Sequence, residues 1–210
     1  MKHILSLLTG LLLAPLFARA VDELPLPVTR GAVLVSEDFS ATNAIVKWRR
    51  GAGKWTVAEG VLTGTETPER KHPAGLACQR DYHDAVIQFR FQFAGGKEAI
   101  LLLRNKFGNL CRVSITQSGM TVQKDRPNLP KDTPEKGVVF GKAPVQLKTG
   151  EWYAVTAVVC GEEFAVTLHD HATLKGRHPS IHVDKTEIEF LAGGVSILFD
   201  DLKAYKVAAK

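Results

Sequence analysis

The chain contains few cysteines and little net charge, and beyond its first twenty residues it has no hydrophobic run long enough to cross a bilayer. Three cysteines in 210 residues exclude a disulfide-rich scaffold, and their wide spacing excludes a zinc-finger pattern. A formal net charge of +5, with basic and acidic residues interspersed, indicates no nucleic-acid partner. No apolar pattern at helical spacing exceeds about ten residues outside the N-terminus, which excludes a helix-rich fold.

The cysteines Cys78, Cys111 and Cys160 each lie inside an apolar run. An odd number allows at most one intrachain disulfide and leaves a spare thiol. The alternative is that all three are small buried apolar residues, which their strand-like positions favour.

The first twenty residues have the features of a secretory signal peptide. Lys2 supplies a positive start, residues 4–17 are mostly apolar, and Ala18 and Ala20 are the small residues that precede a cleavage site. The apolar run is too short to span about 30 Å of hydrocarbon. We therefore expect cleavage after Ala20 and a secreted or periplasmic protein with no transmembrane segment in the mature chain.

The mature chain is predicted to be one all-β domain. Residues 85–93 (AVIQFRFQF) alternate strictly between apolar and polar side chains, as a strand with one core-facing side requires. Similar short runs, separated by Gly, Asn, Asp or Pro, continue to residue 207. We predict an extended leader at 21–30 and a single antiparallel two-sheet jelly-roll sandwich at 31–210, with a long surface loop at 125–136.

The order of short motifs resembles one group of concanavalin A-like (laminin G-like) sandwich proteins, the 3-keto-disaccharide hydrolase domains, which are similar to family 16 glycoside hydrolases. The motifs are EDF at Glu37, Trp48, GKWTVAEGVLTG at 53–64, GEW at 150–152 and SILFDDLKAYKV at 196–207. The resemblance implies an exported bacterial protein associated with glycans, in a family that includes hydrolases of glycosides oxidised at carbon 3.

One departure from this resemblance concerns the carboxylates. Laminarinase-type hydrolases carry a strand motif Glu-x-Asp-x-x-Glu, in which carboxylates on one face act as nucleophile and acid. The nearest string here contains Glu187 and Glu189, which share a strand face, but the third acid is missing because Ala192 stands in its place. The two residues are either a catalytic pair or part of a solvated strand face.

Planar polar side chains recur on several predicted strands, as in sugar-binding surfaces, where they match pairs of hydroxyls. If these strands are neighbours in one sheet, the side chains form a concave polar surface; otherwise they are an ordinary solvated face. Trp55 and Trp152 are predicted to lie in the core. Trp48 is the candidate aromatic for stacking on a sugar ring, and the alternative is that it lies in the core as well. The polar candidates are Gln88, Arg90, Gln92, Arg112, Ser114, Thr116, Thr167 and His169.

Histidines and carboxylates suggest two further sites. His169 and His171 belong to a histidine-rich stretch that is predicted either to surround a metal or ketosugar, or to contact only the local backbone. Glu37 and Asp38 precede the first loop, and Asp200 and Asp201 lie in the last strand. If the first and last strands pair, these four carboxylates are candidates for a structural Ca²⁺, or else an exposed acidic strand end. No other cofactor is expected.

The sequence therefore predicts an exported carbohydrate-associated protein that binds or processes a glycan on a concave sheet face. One alternative is a hydrolase of 3-keto-glycosides or related bonds. Another is a non-catalytic scaffold or interaction module of the cell envelope. The residues leave open whether the protein is an enzyme.

Overall fold

Short strands joined by tight turns account for most of the structure. The computed structural model describes residues 23–67, 69, 72–126 and 135–208. The predicted signal peptide and most of the predicted loop at 125–136 lie outside these residues. Within them the chain forms fifteen β-strands and a short 3₁₀ helix (Pro179–Ile181), and no helix is long and apolar enough to span a membrane.

The strands form two antiparallel sheets, as predicted, and the molecule is a jelly-roll sandwich of the concanavalin A-like type. Sheet A contains β1 (Arg30–Glu37), β3 (Lys54–Ala58), β4 (Val61–Thr65), β6 (Ala85–Phe93), β11 (Trp152–Cys160), β12 (Glu163–Leu168), β13 (Ala172–Arg177) and β15 (Ile197–Val207). Sheet B contains β2 (Arg49–Arg50), β5 (Ala74–Tyr82), β7 (Gly96–Asn105), β8 (Gly108–Thr116), β9 (Gly119–Lys124), β10 (Val138–Pro144) and β14 (Lys185–Gly194).

The last strand, β15, organises sheet A. The sheet order is β13-β12-β11-β6-β15-β4-β3, and β1 also pairs with β15. A register shift at Asp200 and Asp201, where Asp201 has φ +50°, divides β15 into two halves. The first half pairs with β4 and the second with β1, so the first and last strands are neighbours, as predicted.

The core lies between the sheets and is rich in phenylalanine. The alternation of β6 is confirmed, because Phe89 and Phe91 point into the core while the polar residues between them point outward. Phe190 of β14 stacks on Phe199 of β15 at 4.5 Å between ring centroids, joining the two sheets. Cys78 and Cys111 are buried free thiols in the same core.

Strands β3 and β4 form a hairpin within residues 53–65. Glu59 and Gly60 have φ values of +53° and +74°, the combination that a two-residue turn between twisted antiparallel strands needs. Trp55 is in the core, as predicted, and a Cβ at Gly64 would lie 2.7 Å from its ring. The core prediction was wrong for Trp152, which is half-buried on the outer face of sheet A.

The edge strands β13 and β10 close one side of the sandwich. A Cβ at Gly176 of β13 would overlap the Phe140 ring of β10, and a Cβ at Gly141 of β10 would lie 3.0 Å from Leu174 Cδ2 of β13. Each glycine thus makes room for a large side chain from the opposite sheet.

The predicted leader covers part of the outer face of sheet A. Leu24, Leu26 and Val28 pack against Val86 and its neighbours on β11 and β12. Leu26 is only 5% exposed, which is unusual for a segment outside the two sheets. The leader therefore shields an apolar patch from water.

Candidate functional site

The polar residues that the sequence groups on one surface lie on opposite faces of the sandwich. Gln88, Arg90 and Gln92 belong to sheet A, where β6 pairs with β11 and β15. Arg112 and Ser114, together with Thr116, belong to sheet B, where β8 pairs with β7 and β9. The prediction of a single groove was wrong, because a two-residue period separates inward from outward side chains but does not assign a strand to a sheet.

On sheet A the polar side chains of β6 already contact neighbouring residues of the protein. Arg90 forms ion pairs with Asp200 and Asp201 at 2.5 and 2.8 Å, and its guanidinium lies 5.3 Å from the centroid of the Trp152 ring. Gln92 donates to the Gly150 carbonyl at 2.8 Å, and Gln88 donates to the Thr156 hydroxyl at 3.2 Å. The polar side chains of this face are therefore engaged in contacts within the protein.

The four carboxylates proposed for Ca²⁺ are not assembled into a metal site. Glu37 accepts a hydrogen bond from the Phe39 amide, and Asp38 accepts one from the Ser40 amide. The latter bond is the main cause of a lowered pKa for Asp38. Asp200 and Asp201 face Arg90 instead. Among the described residues, no three carboxylate, imidazole or thiol side chains are grouped so that they could hold a metal ion.

The histidine-rich stretch contains the turn between β12 and β13, and Asp170 in it has φ +62°. His169 is buried and its Nε2 lies 2.8 Å from the Thr156 hydroxyl on the outer face of sheet A. His171 is exposed beside the Tyr153 ring, at 5.5 Å between centroids. These histidines and the acids Glu187 and Glu189 lie on different sheets, so the structure does not combine them in one site.

The outer face of sheet B carries a depression of about 280 Å³. Its apolar part is formed by Ile100, Leu102 and Leu191, which are buried although they lie outside the core. Polar side chains from three strands surround this part. We name it the sheet-B depression; it is lined by His72, Pro73, Glu98, Ile100, Leu102, Arg104, Asn109, Arg112, Ser114, Glu189 and Leu191.

Small residues on β5 leave room for carboxylates beside the depression. In the register of β14 and β5, Glu189 lies opposite Ala77 and Leu191 lies opposite Gly75. A Cβ at Gly75 would lie 3.0 Å from Glu189 Oε1 and 3.3 Å from Leu191 Cδ2. Glu189 therefore occupies space that a larger residue at position 75 would take.

Two glutamates and two arginines form a network at one end of the depression, the arginine–glutamate network of Arg49, Arg104, Glu187 and Glu189. Arg49 donates to Glu187 from Nε at 2.8 Å and from Nη2 at 2.7 Å. Arg104 contacts Glu187 from Nε and Glu189 from Nη1, each at 3.1 Å. The side chains of Glu187 and Glu189 are only 12% and 6% exposed, so the interpretation as a solvated strand face was wrong.

The network sets the protonation of its more exposed glutamate. The hydrogen bonds from Arg49 are the largest cause of a lowered pKa for Glu187, and they outweigh the opposite effect of burial. Glu187 is therefore a carboxylate at neutral pH.

Arg112 differs from the other two arginines. Its Nε lies 3.2 Å from Asp125 Oδ1, and this buried Nε makes no hydrogen bond. Its terminal Nη1 and Nη2 atoms have no hydrogen-bond acceptor among the described residues. Arg112 and Ser114, both predicted to bind a ligand, thus line the depression, and the Arg112 guanidinium has donors that no described residue accepts.

Trp48, the predicted stacking residue, lies elsewhere. Its ring makes an edge contact with Phe39 at 5.9 Å and lines a second groove, of about 350 Å³, between β1 and β5. Trp48 does not line the sheet-B depression, because the chain before β2 turns back toward β1. Three residues of the site were not predicted from the sequence: Arg49, Arg104 and Asn109.

The two antiparallel sheets define the protein as a jelly-roll sandwich. No protein-family model matches the sequence, and no curated protein matches it. Among solved structures the chain is similar to a Bacillus subtilis protein of unknown function with a galectin-like fold, at 10% identity over 87% of this chain and 100% of that one, with a TM-score of 0.64.

The chain is also similar to two solved structures whose names refer to carbohydrates. Carbohydrate-binding module CBM66 from Bacillus subtilis is 10% identical over 76% of this chain and 95% of that one, with a TM-score of 0.60. Porphyranase B from Zobellia galactanivorans is 8% identical over 84% of this chain and 93% of that one, with a TM-score of 0.62. At these identities the likeness is one of fold.

Proposed function

We propose that this protein binds a carbohydrate in the sheet-B depression and that it is exported after cleavage following Ala20. The observation that carries the proposal is the combination of an apolar surface with fixed planar polar groups in one depression. The names of two structural neighbours, a carbohydrate-binding module and a porphyranase, support it.

The chemistry of sugars suits this depression. A sugar ring offers apolar C–H groups on one face and hydroxyl pairs at its rim, and binding sites use a few well-placed polar groups for specificity. The apolar residues of the depression would meet the ring, and Arg112, Ser114 and Asn109 would meet hydroxyls. Arg104 Nη1 donates to the side-chain oxygen Oδ1 of Asn109 at 2.7 Å, so the Asn109 side-chain nitrogen is oriented before a ligand arrives.

The carboxylates favour binding over hydrolysis. Glycoside hydrolysis needs a protonated carboxylic acid of raised pKa opposite a second carboxylate. Glu187 has a lowered pKa, and Glu189 forms ion pairs with Arg104 and Arg49. A carboxylate whose pKa is lowered by an arginine, as in Glu187, is poorly suited to donate a proton.

A second candidate function is hydrolysis of 3-keto-glycosides, as the resemblance to 3-keto-disaccharide hydrolases implies. The observation that favours it is that Glu187 and Glu189 do share one face of β14 beside the depression. Release of sugar from a panel of 3-keto-glycosides, lost in Glu189→Gln, would establish it. No release with any panel member would exclude it.

The test of binding compares two arginines on opposite faces. We expect Arg112→Ala to weaken binding in glycan-containing affinity gels and by calorimetry by about 10-fold or more, because a hydrogen bond to a charged group contributes roughly 1.5–3 kcal/mol. Arg90→Ala is the matched control on sheet A and should bind as the unmodified protein does.

Two results would contradict this proposal. Loss of binding in Arg90→Ala with no effect of Arg112→Ala would move the site to sheet A. Absence of binding across a broad glycan array, with a fixed protein partner co-purifying, would favour the alternative of a cell-envelope scaffold.

A further inference from the structure

We infer that the sheet-B depression selects uncharged glycans over glycans that carry carboxylate or sulfate groups. This inference rests on the proposed function, since it concerns the ligand of the same depression. It is carried by the balance of charges on the outer face of sheet B.

Each arginine at the depression already faces a carboxylate. Arg49 and Arg104 are matched by Glu187 and Glu189. Arg112 lies beside Asp125, whose carboxylate also accepts a hydrogen bond from Gln123 at 2.7 Å. Three guanidinium groups thus lie against three carboxylates, and among the described residues that line the depression only the His72 imidazole remains as a group that can carry an unmatched positive charge.

Recruiting Arg104 for an anionic ligand would be costly. Glu189 is 6% exposed, and its ion pair with Arg104 would have to weaken for the guanidinium to turn toward the ligand. A buried carboxylate that loses its partner is strongly destabilised. Arg112 is freer, with 32% of its side chain exposed, but Asp125 offsets its charge at close range.

Glu98 adds a negative charge that no arginine of the described residues matches. It lines the depression from β7, where it lies between Thr116 of β8 and Gly193 of β14. No described residue forms an ion pair with it. Its carboxylate therefore repels a ligand carboxylate or sulfate, while it can still accept hydrogen bonds from sugar hydroxyls.

The experiment measures binding to three matched oligosaccharides of the same length and linkage, built from glucose, glucuronate and glucosamine, at low and high salt. We expect the unmodified protein to bind the glucose oligomer in preference to the glucuronate oligomer. Glu98→Gln should improve glucuronate binding by about fivefold at low salt, and the gain should shrink in high salt because it is electrostatic. Glu163→Gln, which removes an exposed glutamate on sheet A, is the control of equal net charge and should change nothing.

The outcomes separate the two proposals. A broad glycan array that shows no binding to any sugar overturns the proposed function, and this inference with it. Preferential binding of anionic glycans, or a glucuronate affinity that Glu98→Gln leaves unchanged, overturns the selectivity alone. A neutral preference that Glu98→Gln relaxes and Glu163→Gln does not supports it.

Discussion

Glu187 and Glu189 show how two carboxylates can be placed on a central strand. Strand β14 has neighbours on both sides, and burying a carboxylate there costs several kcal/mol unless a cation accompanies it. Arg49 and Arg104 supply those cations from two other strands. The small residues Gly75 and Ala77 leave the space in which they meet.

The first prediction concerns acid stability. The folded pKa of Glu187 is depressed below its ordinary value of 4.5, so its contribution to stability is present above that value and is lost as pH falls through the folded pKa. Arg49→Met should therefore lower the free energy of unfolding at pH 7 by about 1 kcal/mol, a modest value because the arginine is partly exposed. The difference from the unmodified protein should shrink below pH 4.5.

Urea unfolding at several pH values between 7 and 3 measures this effect. Arg50→Met, which replaces the exposed neighbour of Arg49, is the control and should leave stability unchanged across the series. A deficit in Arg49→Met that stays constant down to pH 3 would show that the arginine stabilises by packing and not through Glu187.

Part of this site could be predicted from the sequence, and part could not. The spacing of Glu187 and Glu189 places them on one face of a strand, and that prediction is confirmed. Their partners are remote, because Arg49 is separated from Glu187 by 138 positions and Arg104 from Glu189 by 85. Local spacing contains no information about such distant pairs. From the sequence alone, a solvated strand face is therefore one interpretation of the two carboxylates.

Among the elements, the leader packs more closely against sheet A than its sequence predicts. Two prolines and the lack of a period predict an extended segment, which is what forms, but they do not predict that Leu26 becomes a buried part of sheet A. Strand β13 is difficult to predict from its sequence. It is an edge strand with half-exposed residues, and its sequence ATLKGR shows little of the apolar alternation of β6.

The second prediction tests the leader. Leu26→Ala should lower the free energy of unfolding by about 2 kcal/mol, because it removes a buried side chain that covers Val86, Val158 and Ala165. It should also increase the binding of a dye that reports exposed apolar surface. Val46→Ala, at a side chain 69% exposed, is the control and should change stability by less than about 0.5 kcal/mol.

Unfolding in urea provides the first measurement, and dye fluorescence in the native state provides the second. An unchanged midpoint in Leu26→Ala would mean that the leader rests on sheet A without stabilising it.

At the scale of the whole molecule, the sandwich is closed by interlocking edges. Phe140 of sheet B fills the space above Gly176 of sheet A. The third prediction is that Gly176→Ala destabilises the protein by about 2 kcal/mol, since the added methyl would force the phenylalanine or the edge strand to move. Gly119→Ala is the matched control, because its Cβ would have no neighbour nearer than 3.7 Å.

Thermal and urea unfolding compare the two variants. Equal stability of Gly176→Ala and Gly119→Ala would show that strand β10 can shift freely, and that the edges are not locked together.

The sequence predicts which side chains point outward, but not which outer face of the sandwich they lie on. Alternation within each strand predicts which side chains leave the core, as it does for Arg90 and Arg112. It does not say that a core of phenylalanine rings lies between them. That separation depends on the order in which strands join each sheet, which is set by contacts between segments far apart in the chain.

Strand β15 has a consequence for how this protein is made. It is synthesised after the other fourteen strands of the described residues, yet it lies inside sheet A, where β6, β4 and β1 all pair with it. Strands made earlier cannot complete that sheet until residues 197–207 leave the ribosome, and pairing between such distant segments is slow. The nascent chain therefore stays open until late, which suits a protein proposed to pass through an export channel before it folds.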